Sequence, residues 1–122
     1  MYRHFAAVQG ASLTVVATRP YKDFAVDIDE ILAACDDSTR LIFLCSPNNP
    51  TGTTLPREDL LRLLEGRGDR SVVVVDEAYV EFGDKPSVTE LLPRFENLLV
   101  LRTLSKALGF AGARCGAVAG QQ

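Results

Sequence analysis

Apolar residues along this chain fall into short runs separated by stretches of helical period, and that alternation is its first regularity. Four runs read as strands: Leu13-Thr14-Val15-Val16-Ala17, Leu41-Ile42-Phe43-Leu44-Cys45, Val72-Val73-Val74-Val75 and Leu98-Leu99-Val100-Leu101. The second and third are almost uninterrupted in apolar residues, as expected of parallel strands covered on both faces. Helix signals lie between the runs. Asp27-Ile28-Asp29-Glu30 has the form of a capping box ahead of Ile31, Leu32 and Ala33. Pro56 can open a helix carrying Leu60, Leu61, Leu63 and Leu64, because its fixed φ suits a first turn. Ser87-Val88-Thr89-Glu90 is a second capping box, leading into Leu91-Leu92 and stopped near Pro93. Tyr2 to Val8, with Tyr2, Phe5 and Ala6 on one face, predicts a short helix closed at Gly10. Strand and helix alternate throughout, so the expected fold is α/β: a mostly parallel sheet with covering helices and right-handed crossovers. A last short strand from Cys115 to Ala119 would complete it. No repeat, low-complexity linker or internal boundary divides the chain.

Composition adds mainly exclusions. A chain of 122 residues, 47% hydrophobic and 24% charged, is an ordinary globular domain that can bury a core without disulfides or metals. A net charge of -3 argues against a nucleic-acid-binding surface. No apolar run approaches the ~20 residues of a membrane span, and no signal-peptide pattern follows Met1, so the expectation is a cytoplasmic protein without a membrane partner. Cys35, Cys45 and Cys115 are odd in number and lack metal-ligand spacing, which predicts packed, reduced thiols. His4 is the only histidine, so neither a histidine triad nor a histidine-based metal site can be assembled.

In open parallel sheets ligands bind beyond the carboxyl ends of the strands. Three unusual polar segments fall there: Ser46-Pro47-Asn48-Asn49-Pro50-Thr51-Gly52, Asp76-Glu77-Ala78-Tyr79 and Thr103-Leu104-Ser105-Lys106. A lysine at such an edge can react with an aldehyde, because partial desolvation favours its neutral amine; most surface lysines are simply solvated. Asp76, ending a buried strand, needs a partner to stay ionised, and a protonated pyridine nitrogen is one such partner. A turn cap is an equally good account of Asp76 taken alone. Asn49-Pro50 is a turn signal with a cis bond possible, and Asn49 and Tyr79 could both hydrogen-bond a phenolate oxygen. Thr103, Ser105 and Arg114 offer two hydroxyls and a guanidinium to a phosphate. No residue here is specific alone; the ordered set at successive strand ends is.

Those segments carry a resemblance. Ser-Pro-Asn-Asn-Pro-Thr-Gly (46–52), Asp-Glu-Ala-Tyr-Val-Glu-Phe (76–82) and Arg-Thr-Leu-Ser-Lys-Ala-Leu-Gly-Phe-Ala-Gly-Ala-Arg-Cys-Gly (102–116) resemble the class II aminotransferases of pyridoxal-phosphate fold type I, nearest the histidinol-phosphate aminotransferases. The resemblance implies that Lys106 is the catalytic lysine joined to pyridoxal 5'-phosphate and the shuttle for the substrate proton. It implies that Asp76 pairs with the ring nitrogen, that Asn49 and Tyr79 bind the phenolate oxygen, and that Thr103, Ser105 and Arg114 hold the phosphate. No metal is implied. The implied reaction moves an amino group between glutamate and the phosphorylated keto compound imidazole-acetol phosphate, giving histidinol phosphate in histidine biosynthesis, in a homodimer.

Family members are about three times longer. The resemblance therefore makes residues 1–122 an internal fragment of the cofactor-binding large domain, with the small domain and the N-terminal segment absent. An aromatic aminotransferase and a phosphothreonine decarboxylase share the same motifs, and a non-catalytic truncated remnant is a rival of another class. A generic nucleotide binder lacks its Gly-x-Gly-x-x-Gly or Walker motif here.

Overall fold

The computed structural model describes residues 2–121. Its centre is a four-stranded sheet in the order β1 (Leu41–Cys45), β2 (Val72–Asp76), β3 (Leu98–Thr103), β4 (Gly116–Gly120). The pairs β1–β2 and β2–β3 are parallel, and β4 closes the sheet antiparallel to β3. The α/β, mostly parallel expectation holds. β2 lies between two neighbours, and its Val73 and Val75 are wholly buried, as its unbroken valine run requires.

One face of the sheet carries the core. Ile42 and Leu44, Val73 and Val75, and Leu98 and Val100 point to this side. Helix α2 (Ile28–Ala34) covers it with Ile28 and Ile31, and helix α3 (Arg57–Arg67) with Leu60, Leu63 and Leu64. Asp27 caps α2 by accepting from the Glu30 N–H at 3.2 Å, which is the bond its capping box predicts. Pro56 stands one place earlier than its fixed φ suggested: it is the N-cap of α3, and its carbonyl accepts the Leu60 N–H. The last turn of α3 also buries a charge. The Arg67 guanidinium donates to Ser71 Oγ at 3.0 Å and to the Asp36 carbonyl at 2.9 Å, so the buried cation is satisfied by neutral acceptors.

Two expectations need correction. Leu13–Ala17 forms no strand; residues 11–19 have no regular hydrogen-bonded structure. Leu13 and Val15 are exposed and only Val16 packs on the core, so this run has residue preference but no ladder partner. Val88–Arg94 is a 3-10 helix rather than an α-helix. Ser87 Oγ accepts from Thr89 N instead of Glu90 N, and Pro93 removes a donor inside the segment. The predicted N-terminal helix is present as α1 (Tyr2–Val8), followed by Gly10 at φ +67°. Its Phe5 nevertheless faces solvent.

Register sets the site. Cys45 pairs with Asp76, and Asp76 with Leu101, so β1 and β2 end level while β3 runs two residues further, to Thr103. The ladder runs one residue further, with Ser46 N donating to Asp76 O and Glu77 N to Leu101 O, both at 3.0 Å. β4 returns along β3 so closely that a Cβ on Gly116 would meet the Arg102 carbonyl at 2.9 Å. Among the described residues no helix is long and apolar enough to cross a membrane. All three cysteines are free thiols, but only Cys35 and Cys45 are half-buried; Cys115 is exposed, so the expected packing does not hold there.

Candidate active site

The shared direction of the three parallel strands brings the three polar segments to one edge. The loop after β1 is folded on itself: Asn48 N donates to Thr53 O and Gly52 N to Asn48 O, each at 2.8 Å. Gly52 sits at φ +72°, a conformation side chains rarely adopt, and this lets the chain reverse. Ser46-Pro47 and Asn49-Pro50 are both cis. Ser46 Oγ accepts from Leu55 N at 2.9 Å, tying the far end of the loop back to the strand. Asn49 is thereby held out over the segment that follows β2, where its Nδ2 donates to Tyr79 Oη at 2.7 Å. The two residues expected to share one ligand oxygen do meet.

The segment after β3 closes the group. Lys106 Nζ lies over the Tyr79 ring, 5.1 Å from its centroid. Lys106 is exposed, and Gly109 N donates to its carbonyl in a tight turn. Thr103 Oγ1 accepts from Ser105 N at 3.1 Å, so these two hydroxyl residues form a compact unit at the strand end. Arg114 is less committed to it. Its guanidinium is exposed and donates to the Ala111 carbonyl at 3.2 Å, while its backbone occupies the left-handed region at φ +48°. The backbone beside it is close to Thr103 all the same: Leu104 N donates to Cys115 O at 3.2 Å.

Asp76 ends β2 and is 8% exposed. Ala78 N donates to its Oδ1 at 3.0 Å and the Tyr2 hydroxyl donates to its Oδ2. Among the described residues no cation pairs with it. Burial, followed by the Asp76 carboxylate, pushes the Tyr2 phenol well above its ordinary range, and burial also pushes up the Cys45 thiol beside it. The next residue, Glu77, is buried as well. Its carboxylate accepts from Ser87 Oγ at 2.6 Å and Val88 N at 2.7 Å, with Arg102 Nη1 at 3.5 Å; Arg102 in turn bonds Glu81. Glu77 therefore joins the end of β2, the start of the 3-10 helix and β3.

Sequence reasoning missed Tyr2 and Glu77 as parts of this site. Tyr2 is 74 residues from Asp76 and read as one aromatic on a helix face. Glu77 had a weak signal, a carboxylate directly after a buried run. The whole edge offers an amine over an aromatic ring, two converging polar groups, a buried carboxylate with no cation, and hydroxyls. Among the described residues no cluster could hold a metal ion. Beside the edge an open cavity of about 410 Å³ is lined by Pro47, Asn49, Tyr79, Phe82 and Asp84.

Known proteins resemble the chain throughout. The family described as aminotransferase class I and II matches residues 1–122. A histidinol-phosphate aminotransferase of Francisella philomiragia is 44% identical over 118 residues, which cover 97% of this chain and 33% of that relative. The structure of an aspartate aminotransferase from Thermus thermophilus, solved with maleate, superposes with TM-score 0.87 at 28% identity, covering 98% of this chain and 32% of that one. The histidinol-phosphate aminotransferase of Clostridium acetobutylicum gives TM-score 0.84 at 25% identity, over 96% and 35% of the two chains. The chain spans about a third of the length of the curated relatives it matches.

Proposed function

The chain belongs to the class I and II aminotransferases, and from that premise we propose that residues 1–122 form part of the large, cofactor-binding domain of a pyridoxal-phosphate-dependent transaminase. The observation that carries this is the convergence of Asn49, Tyr79 and Lys106 at one sheet edge, beside a buried carboxylate that has donors but no counter-ion.

The residues suit the cofactor. A carboxylate that only neutral donors satisfy retains a full charge for a protonated ring nitrogen, and Asp76 is such a group. Asn49 Nδ2 already donates to Tyr79 Oη at 2.7 Å, and the second amide hydrogen and the phenol O–H are left for a phenolate oxygen. The Lys106 amine is within reach of the same ring face, and Thr103 and Ser105 supply hydroxyls for a phosphate. Arg114 would turn from the Ala111 carbonyl to join them. Bound pyridoxal phosphate supplies an electron sink for a carbanion next to nitrogen. The chain's own residues do the rest: Asp76 keeps the ring nitrogen protonated, Asn49 and Tyr79 fix the ring's orientation, and Lys106 takes and returns the substrate proton.

For the substrate, support comes from the similarity to histidinol-phosphate aminotransferases over nearly the whole chain. The reaction proposed for the whole enzyme is amino transfer between glutamate and imidazole-acetol phosphate, in histidine biosynthesis, by a cytoplasmic homodimer. Trapping tests the cofactor site. The chain has three lysines, Lys22, Lys85 and Lys106. Borohydride reduction in the presence of pyridoxal phosphate should leave the pyridoxyl group on Lys106, found by peptide mapping. Lys106→Arg should lose it while keeping the charge. A pyridoxyl group spread evenly over the three lysines would overturn the assignment.

A further inference from the structure

Among the described residues the Asp76 carboxylate has two hydrogen-bond partners, and one of them, Tyr2, is placed there by a helix that has little other reason to sit on the sheet. Within α1, Phe5 and Val8 are 59% and 66% exposed, and only Tyr2 and Ala6 are partly covered. The Tyr2 ring stacks on Phe43 with centroids 5.0 Å apart and planes 22° from parallel. Phe43 and Cys45 alternate with the core residues Ile42 and Leu44, so they face the second side of the sheet, and Asp76 stands level with Cys45. A ring lying on Phe43 therefore extends its hydroxyl along the strand direction to the Asp76 carboxylate.

We propose that Tyr2 is a positioning residue for Asp76: its phenol fixes one carboxylate oxygen through a neutral donor, leaving the carboxylate to face a protonated ring nitrogen. The identity of that nitrogen rests on the cofactor reading above; the contact itself does not. The physical logic lies in the choice of donor. A buried carboxylate with an unbonded oxygen carries a desolvation cost, which a hydrogen bond offsets. An arginine or lysine in this place would satisfy the oxygen and also cancel the charge. A phenol satisfies it and leaves the net charge at −1. The titratable groups facing the phenol are Asp76 from β2 and Cys45 from β1, and burial together with the carboxylate keeps it protonated, hence a donor. The Ala78 N–H holds the other oxygen at 3.0 Å, so the carboxylate plane is fixed at both ends.

Two measurements test this. The chain has three tyrosines and no tryptophan, so its ultraviolet emission reports tyrosine alone. A carboxylate that accepts a phenol's hydrogen bond quenches its emission by taking the proton from the excited state. Asp76→Asn should therefore raise the emission of the chain, and the rise should vanish in a Tyr2→Phe background, where the ring and its stack on Phe43 remain. No rise, or an equal rise in both backgrounds, would overturn the proposal, whether or not cofactor binds. The second measurement compares pyridoxal phosphate with its analogue carrying carbon in place of the ring nitrogen. Tyr2→Phe should weaken retention of pyridoxal phosphate about tenfold, the worth of one charge-assisted hydrogen bond, and leave retention of the analogue unchanged. Equal losses for both would make Tyr2 a structural residue only. Failure of the unsubstituted chain to take either compound would count against the cofactor reading, and the emission cycle would still decide the contact.

Discussion

Asn49 donates to Tyr79, 30 residues away, and that bond separates binding from folding. Asn49 is exposed and Tyr79 half-buried, so water can replace either partner. Tyr79→Phe should consequently cost the fold under about 1 kcal/mol in urea unfolding. The same change removes a donor from the cofactor's phenolate oxygen, and retention of pyridoxal phosphate in equilibrium dialysis should fall several-fold. Unchanged retention would remove Tyr79 from the site. That Lys106, Asp76, Asn49 and Tyr79 lie at one edge of the sheet was readable from order, because each follows an apolar run that forms a strand. Tyr2 was not readable in the same way. Nothing local distinguishes a phenol that will meet a carboxylate from one that pads a helix face, since the partner is chosen by where α1 lies on the sheet.

The elements differ in how far local chemistry settles them. Asp27 and Glu30 make their bond within one turn, so α2 forms as its capping box says. The segment after Ser87 obeys a longer-range influence: Glu77 accepts the Val88 N–H, a first-turn donor with no partner inside the helix, and the Ser87 hydroxyl proton. The 3-10 helix is thus anchored to the end of β2 through a buried carboxylate. Glu77→Ala would leave those donors without their acceptor and remove the longer contact to Arg102, which keeps Glu81. The expected loss is about 3 kcal/mol, measured as a lower urea midpoint. Glu77→Gln should recover part of it by accepting one of the two hydrogen bonds. A loss below about 1 kcal/mol for Glu77→Ala, the value of an ordinary neutral hydrogen bond, would mean that the carboxylate does not hold this junction.

Over the whole molecule the sheet is covered unequally. Helices α2 and α3 bury one face completely, whereas the other carries Leu41 at 56%, Phe43 at 43% and Val118 at 64% exposure. Leu101 pairs with Val118 and stands level with Asp76 and Cys45, so these apolar groups share the face that bears Tyr2. Contiguous apolar surface of this kind drives association. Sedimentation of the 122-residue chain should show a weight that rises with concentration, and Leu41→Ser should reduce the rise; a strictly monomeric chain at all concentrations would contradict it. The positions of β1 to β3, their parallel arrangement and the order of the polar segments were present in the pattern of residues, because burial on two faces leaves an apolar run and exposed loops do not. The absence of a strand at Leu13–Ala17 was not, since β-branched residues make a strand only when a neighbour offers a ladder. Nor were the reversal of β4, the junction at Glu77 or the phenol on Asp76. Each of those depends on groups far apart in the chain, and only the packed sheet, by fixing register and face, decides which of them meet.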